Sequence, residues 1–145
     1  MIASVLVVCV GNICRSPAGE RILAKSCPAL RIESAGIAAL EGHAADETMS
    51  EISGQHGVDL GGHIARQFTA EMAAGFDLIL ALEKGHIRVI NEKAPTVSGK
   101  TMLLGQWLSA PEIADPYRKS DEFHRLVFDQ VSAACAAWAQ KLGAK

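Results

Sequence analysis

The 145-residue sequence lacks the features that mark several large classes of protein. Its 14 basic and 16 acidic residues leave a formal net charge of −2, so it has no basic footprint for nucleic acid. No apolar run approaches the roughly 20 residues that cross a bilayer. The apolar N-terminus has neither a positively charged start nor a small-residue cleavage site, so we interpret it as a strand. We therefore expect no nucleic-acid partner and no membrane insertion.

The spacing patterns of metal-binding proteins are also missing. The chain has no C-x-x-C motif, and its five histidines are scattered without ligand spacing, so we predict neither a metal nor another cofactor. Disulfides are typical of small secreted domains, but this chain has no export signal and 49% hydrophobic residues, enough for an ordinary core. We expect reduced thiols and a cytoplasmic location. The four cysteines are Cys9, Cys14, Cys27 and Cys135.

Apolar and helical patterns alternate along the chain. Segments with the composition of buried strands lie at 4–9, 30–35, 77–82 and 100–105. Helical patterns lie at 16–26, 46–57, 83–95 and 121–142, and the first is expected to use Ser16 as its cap. The last has a predicted core face of Phe123, Val127, Val131, Ala134, Trp138 and Leu142. This alternation predicts a single α/β domain over 1–145, with a four-stranded parallel sheet flanked by helices and ligands bound at the carboxyl ends of its strands.

The segment "VVCVGNICRSP" at 7–17 places polar residues at the end of the first predicted strand. A loop followed by a helix start offers unpaired N–H groups and a positive dipole end, which together bind anions. We expect Gly11 to adopt left-handed backbone angles, and Asn12 to tolerate them and to brace the loop. Arg15 adds a planar guanidinium that matches two phosphate oxygens at once.

Cys9 would then lie beneath a bound phosphoryl group. The same N–H groups and Arg15 favour its thiolate, and the Ser16 hydroxyl can donate a hydrogen bond to the sulfur. A thiolate in that place is aligned for in-line attack on phosphorus. A buried structural cysteine is the simpler interpretation of Cys9 alone, but the C-x5-R-S spacing before Pro17 favours catalysis. The ATP-type pattern G-x-x-x-x-G-K-[ST] is absent.

The segment "DPYRKS" at 115–120 offers a candidate acid. Hydrolysis of a phosphate monoester requires a proton on the leaving oxygen as the P–O bond breaks. Pro116 biases Asp115 toward an extended conformation. An isolated Asp-Pro pair usually marks a turn, but beside the C-x5-R-S motif we interpret Asp115 as the general acid.

"CVGNICRSP" resembles the phosphate-binding signature of the low-molecular-weight protein tyrosine phosphatases, and "DPYRKS" resembles the segment that supplies their acid. "ESAGIAALEGHAAD", "GHIARQ" and "ALEKGH" agree with the same family, so the similarity runs from about Ser4 to the final helix. Within this family the chain resembles the bacterial members that act on capsule and exopolysaccharide tyrosine kinases. The resemblance implies a phosphotyrosine protein as substrate, with a bacterial tyrosine autokinase as the partner.

The resemblance also implies a role for each matching residue. Catalysis is assigned to Cys9 as nucleophile, Arg15 as phosphate clamp and Asp115 as acid. The phosphate loop and its support are Val10, Gly11, Asn12, Ile13, Cys14 and Ser16, and the substrate cleft has Leu40 and Tyr117 as walls. A reversible Cys9–Cys14 disulfide that shields the nucleophile is implied in the same way, while an inert Cys14 stays open. Arg66 either braces the fold or meets an anionic substrate.

Three other functions stay open at this point. An arsenate reductase on a similar fold needs further cysteines after the third strand, and 77–100 contain none. A protein-arginine phosphatase has a threonine where this chain has Ile13, which offers no hydroxyl. A phosphoprotein-binding module without turnover would be favoured by loss of Cys9, Arg15 or Asp115, and all three are present.

Overall fold

The computed structural model describes residues 1–143, and its centre is a parallel sheet with the strand order β2-β1-β3-β4. The strands are β1 (Ser4–Cys9), β2 (Arg31–Gly36), β3 (Leu78–Ala81) and β4 (Thr101–Leu103). All three strand pairings are parallel, and Cys9 lies opposite Gly36 at the end of the β1–β2 pair. The predicted parallel four-stranded sheet is confirmed, with β4 ending two residues before the predicted boundary.

Five α-helices connect or follow the strands. They are α1 (Arg15–Ser26), α2 (Glu47–Gln55), α3 (Ala70–Ala74), α4 (Lys84–Lys93) and α5 (Asp121–Lys141), with a 3₁₀ helix at Pro95–Lys100. The four predicted helices are confirmed, whereas α3 was not predicted. Its five residues are too few to show a helical period, although Thr69 caps it by accepting a hydrogen bond from the Met72 amide.

The first helix begins differently from the prediction. Cys14 is the N-cap residue of α1 and makes no side-chain capping hydrogen bond, so the prediction that Ser16 caps the helix was wrong. Ser16 instead lies within the first turn, where its hydroxyl is 2.9 Å from Cys9 Sγ. The hydroxyl of Ser16 therefore contacts the Cys9 sulfur and does not cap the helix.

The sheet has a hydrophobic core on each face, as buried parallel strands require. Along β1, Val5, Val7 and Cys9 join one core, and Leu6 and Val8 join the other. The first core is covered mainly by α1, α2 and α5. In α5 the predicted core face is confirmed: Val127, Val131, Ala134 and Trp138 are buried, and Phe123 and Leu142 pack partly buried against them. No helix within residues 1–143 has the length and hydropathy to cross a membrane.

Candidate active site

The loop that joins β1 to α1 wraps around a point just beyond Cys9. Asn12 has a φ of 59°, in the left-handed region that asparagine tolerates better than most residues. Gly11 does not have a positive φ, so the prediction that it adopts left-handed angles was wrong. A side chain on Gly11 would meet Ile13 and Leu40 at ordinary van der Waals distances of 3.8 Å. The turn of this loop therefore depends on Asn12.

Gly36, which lies outside the motif, is the glycine whose missing side chain leaves room for the loop. A β-carbon on Gly36 would overlap the carbonyl oxygen of Val10 and lie 3.0 Å from the amide nitrogen of Asn12. Residue 36 ends β2, directly beside Cys9, so the phosphate loop packs against bare backbone. The sequence analysis gave Gly36 no role because the contact joins residues that are distant in sequence.

A chain of polar side chains extends from Cys9 to the opposite side of the loop. The Asn12 side-chain amide donates to Ser16 Oγ at 2.7 Å and to Ser34 Oγ at 3.0 Å. Ser34 in turn donates to a carboxylate oxygen of Glu20 at 2.5 Å. Since Ser16 accepts from Asn12, its own proton is free to point at Cys9 Sγ, 2.9 Å away. The network thus aims a hydrogen-bond donor at the sulfur.

Asn12 is itself held from two further directions. The backbone amide of Arg66 donates to Asn12 Oδ1 at 2.9 Å, and His63 Nε2 lies 2.6 Å from the Asn12 carbonyl oxygen. The Arg66 guanidinium is used by the Ser34 carbonyl oxygen and the Glu33 carboxylate. Of the two roles left open for Arg66, these contacts favour bracing of the fold. A φ near 60° is unfavourable for a residue other than glycine, so it persists only where surrounding contacts hold it. The contacts from Arg66 and His63 hold Asn12 in this conformation.

Arg15 is buried, with 1% of its surface exposed, and its two sides have different surroundings. Its Nη1 donates to Glu83 Oε2 at 2.6 Å and to the Ile113 carbonyl oxygen at 2.8 Å. Its Nε has no hydrogen-bond partner among residues 1–143, and its Nη2 lies 3.7 Å from Asp115 Oδ2. One side of the guanidinium therefore anchors it, and the edge formed by Nε and Nη2 is left for a planar two-point contact.

Asp115 lies across the cavity from the thiol on a short turn. Its Oδ1 accepts a hydrogen bond from the Tyr117 amide at 3.0 Å, and its side chain is about half exposed. The segment before it is fixed to the sheet, because the Ile113 amide donates to the Leu82 carbonyl oxygen beyond the end of β3. The carboxyl group is thus held near Arg15 while it keeps contact with solvent.

A cavity of about 150 Å³ joins these groups. All of the predicted catalytic and cleft residues line it, together with most of the predicted loop. The lining residues are Cys9, Val10, Gly11, Ile13, Cys14, Arg15, Ala38, Leu40, Asp115 and Tyr117. Asn12 and Ser16 lie outside it and act through the network behind the loop. The walls are mainly apolar, and Tyr117, 39% exposed, stands where the cavity meets solvent.

The four cysteines are free thiols, and only two of them belong to this site. Cys9 and Cys14 line the cavity, while Cys27 and Cys135 are buried in packing positions. Burial raises the pKa of the Cys14 thiol well above its ordinary value, and the nearby Asp46 carboxylate raises that pKa further. Cys14 is therefore a neutral thiol beside the loop at ordinary pH.

The sequence analysis missed four supporting groups: Glu83, the Ile113 carbonyl, Ser34 and His63. Each contacts a motif residue over a separation of 22 to 98 positions. For Glu83 and Ser34 the available signal was their placement just after or within a predicted strand, where parallel sheets gather their functional groups. Composition alone does not distinguish them from ordinary loop residues.

Comparisons with known proteins agree with this geometry. The family model described as "Low molecular weight phosphotyrosine protein phosphatase" matches residues 4–145. The chain is 51% identical over 139 residues to the low molecular weight protein-tyrosine-phosphatase Etp of Escherichia coli K12, with 96% of this chain and 94% of that protein covered.

Solved structures are similar to the same degree. The tyrosine phosphatase Wzb from Escherichia coli K30, in complex with sulphate, has a TM-score of 0.97 at 46% identity and covers 99% of this chain and 100% of its own. Vibrio vulnificus Wzb, in complex with benzylphosphonate, has a TM-score of 0.95 at 43% identity, with 97% and 99% covered. From this match over nearly its whole length, the chain belongs to the low molecular weight phosphotyrosine protein phosphatase family and is a protein-tyrosine-phosphatase.

Proposed function

We propose that the chain hydrolyses phosphotyrosine monoesters through a phosphocysteine intermediate, with Cys9 as nucleophile, Arg15 as clamp and Asp115 as acid. The observation that carries this proposal is the unequal bonding of the Arg15 guanidinium, in which one nitrogen is fully hydrogen-bonded and another is unpaired. Its Nη1 is fully used by Glu83 and Ile113, while Nε is unpaired among the described residues although the side chain is buried. A buried, unpaired donor is costly, and two phosphate oxygens would satisfy the Nε–Nη2 edge.

In the first step the Cys9 sulfur forms a bond to phosphorus as the bond from phosphorus to the phenolic oxygen breaks. The Ser16 hydroxyl stabilises the thiolate before attack, and the loop N–H groups and Arg15 hold the three equatorial oxygens. Asp115 gives its proton to the departing phenolate, so tyrosine leaves neutral. The negative charge that remains is confined to the phosphoryl oxygens, where the donors already lie.

In the second step water attacks the phosphocysteine. Asp115, now ionised, accepts a proton from this water as the S–P bond breaks and inorganic phosphate forms. Its partial exposure supports this role, because solvent water can reach the carboxyl group. The residues Val10, Gly11, Ile13 and Cys14 contribute backbone to the cradle, and Asn12 holds its shape.

The walls of the cavity support an aromatic ester as substrate. Cys9 is only 2% exposed, so a substrate must extend its phosphoryl group inward to meet it. Leu40 and Tyr117 offer apolar and aromatic surfaces on which a phenyl ring packs, and phosphoserine is too short to use them. The benzyl group of the ligand bound to Vibrio vulnificus Wzb is aromatic, which supports the same choice here.

The three alternative functions each lack a chemical requirement. A thiol relay for arsenate needs further cysteines at the cavity, and Cys27 and Cys135 are buried elsewhere. Ile13 lines the cavity without a hydroxyl to orient attack on a P–N bond. A binding module without turnover has no use for an acid beside the leaving-group position.

We place the enzyme in the cytoplasm and propose a bacterial tyrosine autokinase of exopolysaccharide production as its substrate. The resemblance to the bacterial branch of the family supports the partner. The four free thiols support a reducing compartment.

The test measures the pre-steady-state burst of Asp115→Asn across aryl phosphates whose leaving groups differ in basicity. If Asp115 is the acid, the variant loses about 10²–10⁴-fold on phosphotyrosine and much less on para-nitrophenyl phosphate, which leaves as a stable phenolate. The parent should then show a shallow dependence on leaving-group basicity, and the variant a steep one. Asp121→Asn is the matched control, because it makes the same change in an exposed residue at the start of α5.

Two results would contradict the proposal. Equal leaving-group dependence for parent and Asp115→Asn would remove Asp115 as the acid. Turnover of Cys9→Ser within about tenfold of the parent would exclude the phosphocysteine, since a serine hydroxyl is a far weaker nucleophile at neutral pH. Rapid quench of the parent on phosphotyrosine should also trap a phosphoenzyme whose label is on Cys9.

A further inference from the structure

Three side chains with metal-binding atoms meet beside the phosphate loop. Cys14 is the N-cap of α1, Asp46 is the N-cap of α2, and His124 lies in the first turn of α5. One ligand atom of each lies within 4.8 Å of the other two. The three residues are far apart in sequence, so no sequence motif indicates the cluster. The sequence analysis accordingly predicted no metal site.

The state of His124 is the second observation that points to a ligand. The residue is 3% exposed, and its Nδ1 lies 2.9 Å from the Ser120 carbonyl oxygen. A carbonyl only accepts hydrogen bonds, so Nδ1 carries a proton, and Nε2 is the ring nitrogen that faces the other two side chains. That Nε2 is buried and has no hydrogen-bond partner among residues 1–143. Imidazole ligands in metal sites are held by the same outer contact to a carbonyl.

The distances fit a small tetrahedral ion. His124 Nε2 lies 3.3 Å from Asp46 Oδ2. A tetrahedral zinc with Zn–N and Zn–O bonds of about 2.0–2.2 Å separates these two ligand atoms by about 3.3–3.5 Å. The Cys14 sulfur, at most 4.8 Å from either atom, needs to approach by no more than about 1.2 Å to complete the set.

The charges and the access route are also suitable. One thiolate and one carboxylate neutralise a divalent cation, which offsets the unfavourable helix N-termini around the site. Asp46 is the partly exposed member and opens the cluster to solvent, where water can occupy a fourth position. A set of thiolate, imidazole and carboxylate selects zinc over magnesium or calcium, which prefer oxygen alone.

We propose that Cys14, Asp46 and His124 bind one Zn²⁺ ion at the back of the phosphate loop. Binding replaces the Cys14 S–H proton, which is released to solvent, by a Zn–S bond, with no change in oxidation state. The bound ion removes this sulfur from thiol chemistry and ties α1, α2 and α5 together at their N-terminal ends. The three ligands do not include Cys9, Arg15 or Asp115, although Cys14 also contributes its backbone to the phosphate loop.

The test uses Co²⁺ as a spectroscopic probe and Zn²⁺ as its competitor. Cys9→Ser serves as the background, since the active-site thiolate also binds soft metals. We expect one Co²⁺ per chain, a thiolate-to-cobalt charge-transfer absorption in the near ultraviolet, and displacement of cobalt by stoichiometric Zn²⁺. Adding His43→Asn, which changes an exposed histidine, should leave the absorption unchanged.

Two ligand variants decide whether this is the site. Asp46→Asn keeps an N-cap of equal quality for α2 but loses the anionic ligand, so the fold is retained. Cys14→Ser keeps the shape of the side chain but loses the sulfur. We expect each to weaken Co²⁺ binding by more than about 100-fold, beyond the usual effect of an outer-shell change, with unaltered circular dichroism.

Three results would overturn the proposal. Persistence of the charge-transfer absorption in Cys14→Ser would assign the sulfur to another cysteine. Tight binding by Asp46→Asn would exclude that carboxylate as a ligand. Absence of Co²⁺ and Zn²⁺ binding at stoichiometric concentration would mean that the cluster is a hydrogen-bonded packing contact. Failure of the phosphatase assays would leave each of these readouts unchanged.

Discussion

Gly36→Ala should damage the active site although residue 36 contacts no substrate. The new β-carbon would lie closer than 3.0 Å to the Val10 carbonyl oxygen, a separation that real β-carbons essentially never show. Restoring ordinary contact requires the backbone of the phosphate loop to move by on the order of 1 Å, because backbone cannot rotate away as a side chain can. Such overpacking usually costs about 1–3 kcal/mol of unfolding free energy.

The effect on catalysis should exceed the effect on stability. Val10 directly follows Cys9, the proposed nucleophile, so its displacement moves the loop N–H groups relative to the Cys9 sulfur. A misplacement of about 1 Å can cost on the order of 10²-fold in rate, and we expect a loss of that size in kcat/KM. Steady-state hydrolysis of para-nitrophenyl phosphate gives the rate, and urea unfolding gives the stability.

Gly11→Ala is the matched control, since Gly11 lies within the loop against which Gly36 packs. Its β-carbon would meet neighbours only at 3.8 Å, and its φ is not positive. We expect unchanged stability or a gain of up to about 1 kcal/mol, with activity close to that of the parent. If Gly36→Ala retained parental kcat/KM and Gly11→Ala did not, our account of the loop would be refuted.

Other predictions concern the clamp, the second loop thiol and a buried histidine. Arg15→Lys should lose most turnover, because an ammonium cannot both bind Glu83 and make a planar contact with two phosphate oxygens. A near-parental kcat would show that Arg15 is not the clamp. Mild peroxide should inactivate the zinc-free enzyme reversibly through a Cys9–Cys14 disulfide, and Cys14→Ser should lose the recovery by thiol. Mass spectrometry without that bond would remove this role. Burial and Arg15 lower the pKa of His86, so its contribution to stability is present above its ordinary pKa of 6.5 and is lost as the pH falls below it. His86→Gln should flatten that acid-side fall in unfolding free energy, and an unchanged pH dependence would contradict the assignment.

The fold was predictable because its signals are local. Three of the four predicted strands are short, nearly continuous apolar runs, and α5 shows a helical stripe over 21 residues that leaves its buried face unambiguous. The short helix α3 gave no such signal. Its Thr69 cap is visible in sequence, but a cap without a period does not distinguish a helix from a turn.

The site was predictable only to the extent that its chemistry lies within two short motifs. Cys9, Arg15 and Asp115 line one cavity, as their order along a parallel sheet suggests. Glu83 and Ser34 were not predictable, because a carboxylate just after a strand and a hydroxyl within one are both common. Their contacts with Arg15 and Asn12 depend on the strand order β2-β1-β3-β4, which the sequence alone does not give.

The attachment of the Asp115 segment to the sheet also bears on which step limits the turnover rate. Many enzymes carry a catalytic group on a lid that closes on each substrate over microseconds to milliseconds, and lid opening then limits their rate. Here Arg15 donates a hydrogen bond to the Ile113 carbonyl, and the Ile113 amide donates to the carbonyl of Leu82, which follows β3. Asp115, the proposed acid, is therefore held near Arg15 without any substrate. The enzyme needs no large closing motion, and its unimolecular steps should run at the same speed in water and in a viscous sucrose solution.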